Sequence, residues 1–541
     1  MANRKAGTPL LLVVLVSVAA TSASAQSFRV QCPTTTITHP LPTNDAEPAY
    51  KAPTTLVLGP NGYFVPSTTT SGGVVATTTA NGAIKCQQIS GGDGYASMAD
   101  GTQTFMFSFG PLSGLQDIAN GLPGTQFPYI FNGQTSTLPV PGDPATTTGP
   151  YAGSPISYYN GAIGQVPDLD NGNAIDGHVD PRQIMDIGVM NGNIPAPMMA
   201  FDEDDEFFLT LTNVGMIMRP DLFEQHTVHF HGYPNASAFY DGVPDASVAI
   251  NIGGSFTYYY LSPDAGTYFW HCHITPPEHL QMGMVGQLYV RPRQNRVPSS
   301  LTLYQALSQQ QLDLRTACSP STDILCSNSL PILGDNHTNG TFVPAALGQG
   351  TATQLYAYND GDGSTAYDVE YPLQIHGFDP NFHFVGMTFN PEGFVDMKDK
   401  YFLLNGRSYP DTVTAGPMQT QTADSRNHFS QPLPSIINIP SGKKALLRIS
   451  DLDVTEYQTL ASLGIPMHVI GYNAKLLRDQ AGNNMDYFTN SITLAGGESL
   501  DVILDSTNVP KGTYYLYTPQ LDHLSNDAEN FGGLMTEVHV N

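Results

Sequence analysis

A single cysteine set between two histidines, His271-Cys272-His273, constrains this chain more than any other feature. In an extended strand, neighbouring side chains leave opposite faces, so Cys272 points one way and its flanking histidines the other. A second cluster, His226-Thr-Val-His229-Phe-His231-Gly232, obeys the same rule. His229 and His231 share one face, and His226, three residues earlier, serves the other. Six of the 15 histidines fall between His226 and His279. Both clusters require β-strands. The composition agrees: 52 Gly and 42 Pro in 541 residues, with only 13% charged, suit short strands joined by turns and not long helices.

The length predicts two or three domains. The chain starts like an export signal, with Arg4 and Lys5, an apolar run from Leu10 to Ala20, and Ala23-Ser24-Ala25 as a small-residue cleavage site. That apolar run is shorter than the roughly 20 residues a membrane span needs, and no other segment predicts a span. The expected location is therefore secreted or periplasmic. Removing Arg4 and Lys5 from the 21 basic residues leaves 19 against 47 acidic, a balance of −28. Such a chain repels nucleic acid and anionic membranes.

The expected divisions are a signal peptide over 1–25, an amino-terminal extension with a first domain over 26–297, a connector over 298–365 and a second domain over 366–541. Residues 26–100 read as an irregular extension, and 111–185 as a long insertion of loops. Strands are predicted at 101–110, Phe207–Asn213, His226–Gly232, Ser255–Leu261, Gly266–Trp270 and Gln287–Arg291. A second series runs through Tyr371–His376, Tyr401–Arg407, Lys444–Ile449, Pro466–Gly471, Ser491–Leu504 and Gly512–Tyr517. Gly253-Gly-Ser-Phe with Gly266-Thr-Tyr-Phe matches Gly496-Gly-Glu-Ser with Gly512-Thr-Tyr-Tyr, an internal repeat. The predicted class is all-β: two Greek-key β-sandwiches with a long loop-rich amino-terminal extension.

Of five cysteines, Cys318 and Cys326 are near enough in sequence to close a small loop, and Cys32 and Cys86 can form another pair. Other connectivities fit four cysteines equally. The first pairing leaves Cys272 alone beside the single tryptophan, Trp270. Asn235-Ala-Ser, Asn336-His-Thr and Asn339-Gly-Thr are glycosylation sequons.

A blue-copper centre takes two imidazoles, one thiolate and a weak axial thioether. His226, Cys272, His279 and Met284 supply that set. His229, His231, His271 and His273 then line the opposite side, suited to further copper, with one peptide step linking Cys272 to either neighbour. Zinc also accepts Cys and His, but the alternation and the Met five residues after His279 favour copper.

These residues resemble the multicopper oxidase family, which includes laccases. The family's copper motifs, His-Pro-x-His-x-His-Gly and His-Cys-His followed by a His and an axial residue, are matched by His226-Thr-Val-His229-Phe-His231-Gly, His271-Cys272-His273, His279 and Met284. The resemblance implies cupredoxin-like domains, a type 1 copper at His226, Cys272, His279 and Met284, and type 2 and type 3 copper at His229, His231, His271 and His273. Asn191–Pro197 and Asp241-Gly-Val-Pro resemble the family's first domain, so the type 1 motif sits in the first unit. The likeness is good over 185–293 and looser over 366–541. Five residues, not the usual three, separate His273 from His279. A complete family cluster takes eight histidines, four from each of two domains. The expected second-unit positions, Met467-His468-Val-Ile470 and Leu516-Tyr-Thr-Pro519, hold one histidine. His376 and His383 lie outside the motif positions, and His523 follows as a lone candidate.

Copper nitrite reductases are relatives that form trimers, with a second-domain histidine completing a neighbour's type 2 site. His523 resembles that histidine, and His468 is the other candidate ligand between subunits. Those enzymes, however, carry Asp where His229 stands and lack a counterpart of His273. The expected function is thus an exported copper oxidase. It takes single electrons from a phenolic or low-valent metal donor and reduces dioxygen to water. Asp241 is a candidate proton relay or simply a turn residue before Gly242. Asp202–Glu206 with Met198, Met199, Met216 and Met218 hint at metal-ion oxidation, though a solvated loop and core methionines explain them as well. The alternatives are a type 1 electron-transfer or copper-binding protein and a nitrite reductase.

Overall fold

The computed structural model describes residues 84–131, 190–296 and 355–541, each with short interruptions, and short stretches at 30–36, 56–58 and 64–66. The signal-like residues 1–25, most of 111–185, two sequons and Cys318 with Cys326 lie outside the described residues. No helix among the described residues is long and apolar enough to cross a membrane.

The first sandwich is built from β1 (Ile84–Ser97), β2 (Gln103–Pro111), β3 (Met199–Asp202), β4 (Glu206–Gly215), β5 (His229–His231), β6 (Ser255–Leu261), β7 (Gly266–His271) and β8 (Val285–Arg291), with a short helix α1 (Pro276–Gln281) before β8. One sheet runs β2-β1-β4-β6 and the other β3-β8-β7-β5. The second sandwich contains β9 (Val369–Phe378), β10 (Tyr401–Leu404), β11 (Ile437–Ile439), β12 (Lys444–Asp451), β13 (Gln458–Leu463), β14 (Met467–Tyr472), β15 (Ser491–Leu494), β16 (Glu498–Asp505), β17 (Gly512–Tyr517) and β18 (Met535–Val540). Its sheets run β10-β9-β12-β16-β14 and β11-β18-β17-β13-β15. The two cupredoxin-like Greek-key sandwiches expected from the sequence are present.

The repeat extends to strand pairing. β1 pairs parallel with β4 as β9 does with β12, and β3 pairs parallel with β8 as β11 does with β18. The antiparallel partners also correspond: β1–β2 with β9–β10, β4–β6 with β12–β16, β7–β8 with β17–β18, and β5–β7 with β13–β17.

The segment 26–100 departs from expectation at its end. Ile84–Ser97 is a long buried strand, not an irregular extension. Its Gly91, Gly92 and Gly94 read as turn residues, but they sit where another chain segment presses close. A Cβ on Gly91 would lie 2.6 Å from Cδ2 of His226, and one on Gly94 3.1 Å from the Gly192 carbonyl. The Cys32–Cys86 disulfide ties the preceding segment to β1.

The first core is aromatic: Phe107, Phe109, Phe201, Phe207, Tyr260 and Trp270 are buried together. The second is aliphatic, with Leu373, Ile449, Leu460, Val502 and Leu516. Glu370 of β9 joins the two, accepting from Arg291 of β8 at 2.9 Å and Arg448 of β12 at 3.0 Å, all fully buried. The two guanidinium groups hold its carboxyl down at about 2 against the cost of burial.

Candidate metal centre

β7 ends at His271, which delivers Cys272 to the sheet edge facing the core. His226 precedes β5, pinned by a two-way backbone bridge to Ile250 (3.1 and 2.9 Å). His279 rides on α1, whose first turn carries Pro276 and Pro277. The five residues between His273 and His279, two more than the motif needs, thus enter a turn of helix. Nδ1 of His279 lies 3.2 Å from the Cys272 sulfur and Nδ1 of His226 4.0 Å from it. One donor atom from each of the three lies within 4.8 Å of the others, and all three residues are fully buried. Met284 is also buried, its carbonyl accepting from the Cys272 amide at 3.2 Å and its amide donating to the His279 carbonyl at 2.9 Å.

The pocket is dry and polarised. Phe107 meets the edge of His279 at 5.2 Å, and the Thr227 amide points at the Cys272 sulfur at 3.5 Å. Burial alone raises a thiol, but His279 and His226 outweigh it and hold Cys272 well below its ordinary value. Burial lowers His279, yet the facing sulfur and Glu224 lift it to about 10. Nε2 of His226 is buried with no hydrogen-bond partner among the described residues. A buried thiolate between two buried imidazoles is a soft donor set that a metal cation would neutralise, and it fits copper.

On the other face, β5 and β7 pair so that His229 opposes His271, Phe230 opposes Trp270, and His231 opposes Phe269. Phe230 and Trp270 enter the core, and the histidines turn away from it. Donor atoms of His229, His231 and His271 lie within 4.8 Å of one another. Nδ1 of His229 donates to the Asp241 carbonyl (2.7 Å), and Nδ1 of His271 donates to the Cys272 carbonyl (2.8 Å). A carbonyl only accepts, so each ring carries its lone pair on Nε2, that of His271 lying 3.4 Å from Nδ1 of His231. Burial, aided by the neighbouring imidazoles, lowers His231 and takes His271 down to about 3; burial also lowers His229. The His273 ring lies 5.1 Å from His229 and 5.7 Å from His271. A cavity of about 500 Å³ opens on His231 and His271, walled opposite by Leu452–Tyr457 and Ala495–Gly497 of the second sandwich.

The other candidates fall elsewhere. The Asp241 carbonyl accepts from Nδ1 of His229, and its carboxylate, 3.6 Å from that nitrogen, accepts from Asn235 at 2.5 Å. Asp202, Glu203, Asp205 and Glu206 are buried: Glu203 pairs with Arg293 at 2.9 Å, Asp205 lies 3.7 Å from Lys85, and Glu206 accepts from Tyr259 at 2.8 Å. Met198, Met199 and Met216 are core residues. His376 donates to the Leu452 carbonyl, and His383 sits between the Phe105 and Gln281 carbonyls.

The register also relocates the second unit's histidine positions. β13 pairs with β17 as β5 pairs with β7, placing Ala461, Ser462 and Leu463 where His229, Phe230 and His231 stand. His468 was expected at that place. It lies instead on β14, in the other sheet, against Asp486 (3.0 Å) and stacked on Phe488 (4.4 Å). Tyr517 and Pro519 follow Gly512 as His271 and His273 follow Gly266. His523 matches His279: the Leu534 amide donates to its carbonyl as Met284 donates to that of His279. The Thr518 amide donates to Leu534 as Cys272 donates to Met284. His523 faces Gln458 at 2.8 Å and stacks on Phe402 at 3.8 Å. Gln458, Thr518, His523 and Leu534 thus occupy the places of His226, Cys272, His279 and Met284.

Sequence reasoning missed two supports of the site. Glu224, 3.5 Å from Nε2 of His279, is two residues before His226 and shows only as an alternation in an unpatterned stretch. Gly91 packs on the His226 ring from far away in sequence, and nothing local marks it.

A family model described as "Multicopper oxidase" matches residues 175–295, a span holding every histidine, cysteine and methionine of both donor groups. The Multicopper oxidase MCE of Talaromyces pinophilus is 34% identical over 120 residues, covering 22% of this chain and 18% of that protein. Laccase-1 of Emericella nidulans is 32% identical over 140 residues, covering 25% and 20%. The chain therefore spans about a fifth of the length of these relatives. Among solved structures, the blue copper oxidase from Nitrosomonas europaea aligns at 18% identity with a TM-score of 0.45, covering 84% of this chain and 85% of that one. Copper is the cofactor that this family match and the donor sets imply, and the likeness to the multicopper oxidase family rests on residues 175–295.

Proposed function

We propose that this protein is a copper-dependent oxidoreductase that takes single electrons from a donor at a type 1 centre and delivers them to a histidine-bound centre, where dioxygen is the acceptor. The observation that carries the reading is Cys272: its side chain belongs to the buried thiolate pocket, while its backbone carbonyl holds the His271 ring of the other group. His226, Cys272, His279 and Met284 would hold the type 1 copper; His229, His231 and His271 would hold the second centre, with the His273 ring beside them. Copper supplies a one-electron couple whose potential the thiolate, imidazoles and dry surroundings tune.

The chain's own residues do the rest. The Thr227 amide and Phe107 shield the sulfur, and Glu224 fixes the exposed-side edge of His279. Asp241 acts through its carbonyl, orienting His229. The buried pairing of Glu203, Asp205 and Glu206 leaves little to favour a metal-ion donor, so a small organic, phenol-type donor is the better reading. Export through residues 1–25 is consistent with the Cys32–Cys86 disulfide, which an oxidising compartment permits. We read the two sandwiches as the two domains, bounded at 26–297 and 366–541.

Oxygen uptake with a one-electron phenolic donor tests the proposal. The copper-loaded protein should consume oxygen, and Cys272→Ser should abolish uptake. A blue protein that exchanges electrons but consumes no oxygen would replace this reading with an electron-transfer protein.

A further inference from the structure

We infer that the second centre is a mononuclear copper site held by His229, His231 and His271 of the first sandwich alone, open to the cavity between the sandwiches. The inference rests on reading the first sandwich as a copper unit. It concerns how many ions that unit's outer face can hold.

Three imidazole donors within 4.8 Å of one another suffice for one ion and leave positions for water or a small ligand. Additional ions need additional donors, and the structure shows where those would come from. Strand register places Ala461, Leu463, Tyr517 and Pro519 of the second sandwich at the positions of the four outer histidines. None of these side chains is an imidazole. Each copy of the chain carries the same residues, so a second copy presenting this face brings no histidine either. Of the second sandwich's imidazoles, His468 is engaged by Asp486 and Phe488, His523 by Gln458, Glu456 and Phe402, His376 by the Leu452 carbonyl, His383 by the Phe105 and Gln281 carbonyls, and His539 by Glu537.

Within one chain, the wall that faces the trio is equally poor in donors of that kind. The backbone of Gly497 packs on His231; a Cβ there would stand 3.7 Å from its Cε1. Beyond it the cavity, about 500 Å³, is lined by Leu452, Val454, Tyr457 and the carboxylates of Asp453 and Glu456. That volume admits a small anion or dioxygen beside the trio. Two coppers so held would supply two electrons per chain, enough for O₂ + 2 e⁻ + 2 H⁺ → H₂O₂ and half of what reduction to water takes.

The test is copper content and paramagnetic resonance of the full chain after copper loading and removal of loose metal. Two coppers per chain are expected, one with a type 1 and one with a type 2 signal, and azide should shift only the type 2 signal. His231→Ala should lower the count to one and keep the blue band. His468→Ala should keep two, which separates a structural histidine from a ligand. Three or four coppers per chain, a single copper, or loss of copper in His468→Ala would each overturn the inference. A chain with no blue band at all would instead overturn the type 1 reading beneath it.

Discussion

Gly91→Ala puts one methyl group against His226 of the proposed type 1 pocket. Gly91 does not use a left-handed backbone, so β1 itself accepts alanine. The added carbon would stand 2.6 Å from Cδ2, 3.1 Å from Cγ and 3.4 Å from Cβ of His226. Carbon atoms settle at about 3.5–4.0 Å, so the ring must retreat by roughly 1 Å. Its backbone cannot follow, because the bridge to Ile250 holds it from both sides. The ring is left to rotate away from its rotamer, and overpacking of this kind costs about 1–3 kcal/mol. The movement changes the distance from Nδ1 to the Cys272 sulfur, now 4.0 Å. Copper titration followed by the blue band should show weaker binding and a displaced or weakened band, with circular dichroism unchanged. An identical band, affinity and melting temperature would refute the view that β1 positions His226.

Cys272→Ser should abolish the blue band, because the thiolate is its source; a retained band would mean the thiolate lies elsewhere. Glu370→Gln should destabilise the protein by about 3–5 kcal/mol in denaturant titration, since it removes the carboxylate that Arg291 and Arg448 share in the interior; a change under about 1 kcal/mol would contradict that role. The wild-type pH profile follows from the same group: its folded carboxyl, at about 2, is depressed from the ordinary 4.5, so its contribution is complete above 4.5 and fades as pH falls from there toward 2. That acid-side loss should be smaller in Glu370→Gln. Cys32→Ser should lower stability by about 2–4 kcal/mol through the freed loop, measurable as a melting shift that reducing agent reproduces in the wild type.

Much of the site was legible in the sequence because its signal is local. The alternation in His229-Phe230-His231 and His271-Cys272-His273 needs only strand geometry, and both groups assemble on opposite faces as that geometry requires. The repeat at Gly253 and Gly496 likewise appears as matched pairing. What was not legible depends on partners distant in the chain. The glycines of Ile84–Ser97 look like turn residues until His226 and Gly192 are seen against them. The second unit's histidine positions could not be read from nearby residues, because Ala461 and Leu463 carry no mark of the role their register gives them. His468 drew the assignment only by being a histidine in a strand. The acidic run at Asp202–Glu206 looked like a solvated or metal-facing loop, while its partners Lys85, Tyr259 and Arg293 lie elsewhere in the sequence.

The proposed electron entry at the Cys272 pocket and exit through the histidine trio can be followed directly by the blue band in rapid mixing. The copper-loaded protein, bleached anaerobically by a one-electron donor and then mixed with dioxygen, should regain its band. His231→Ala should bleach as readily and stay bleached. Recovery of the band at the same rate in both proteins would contradict the account.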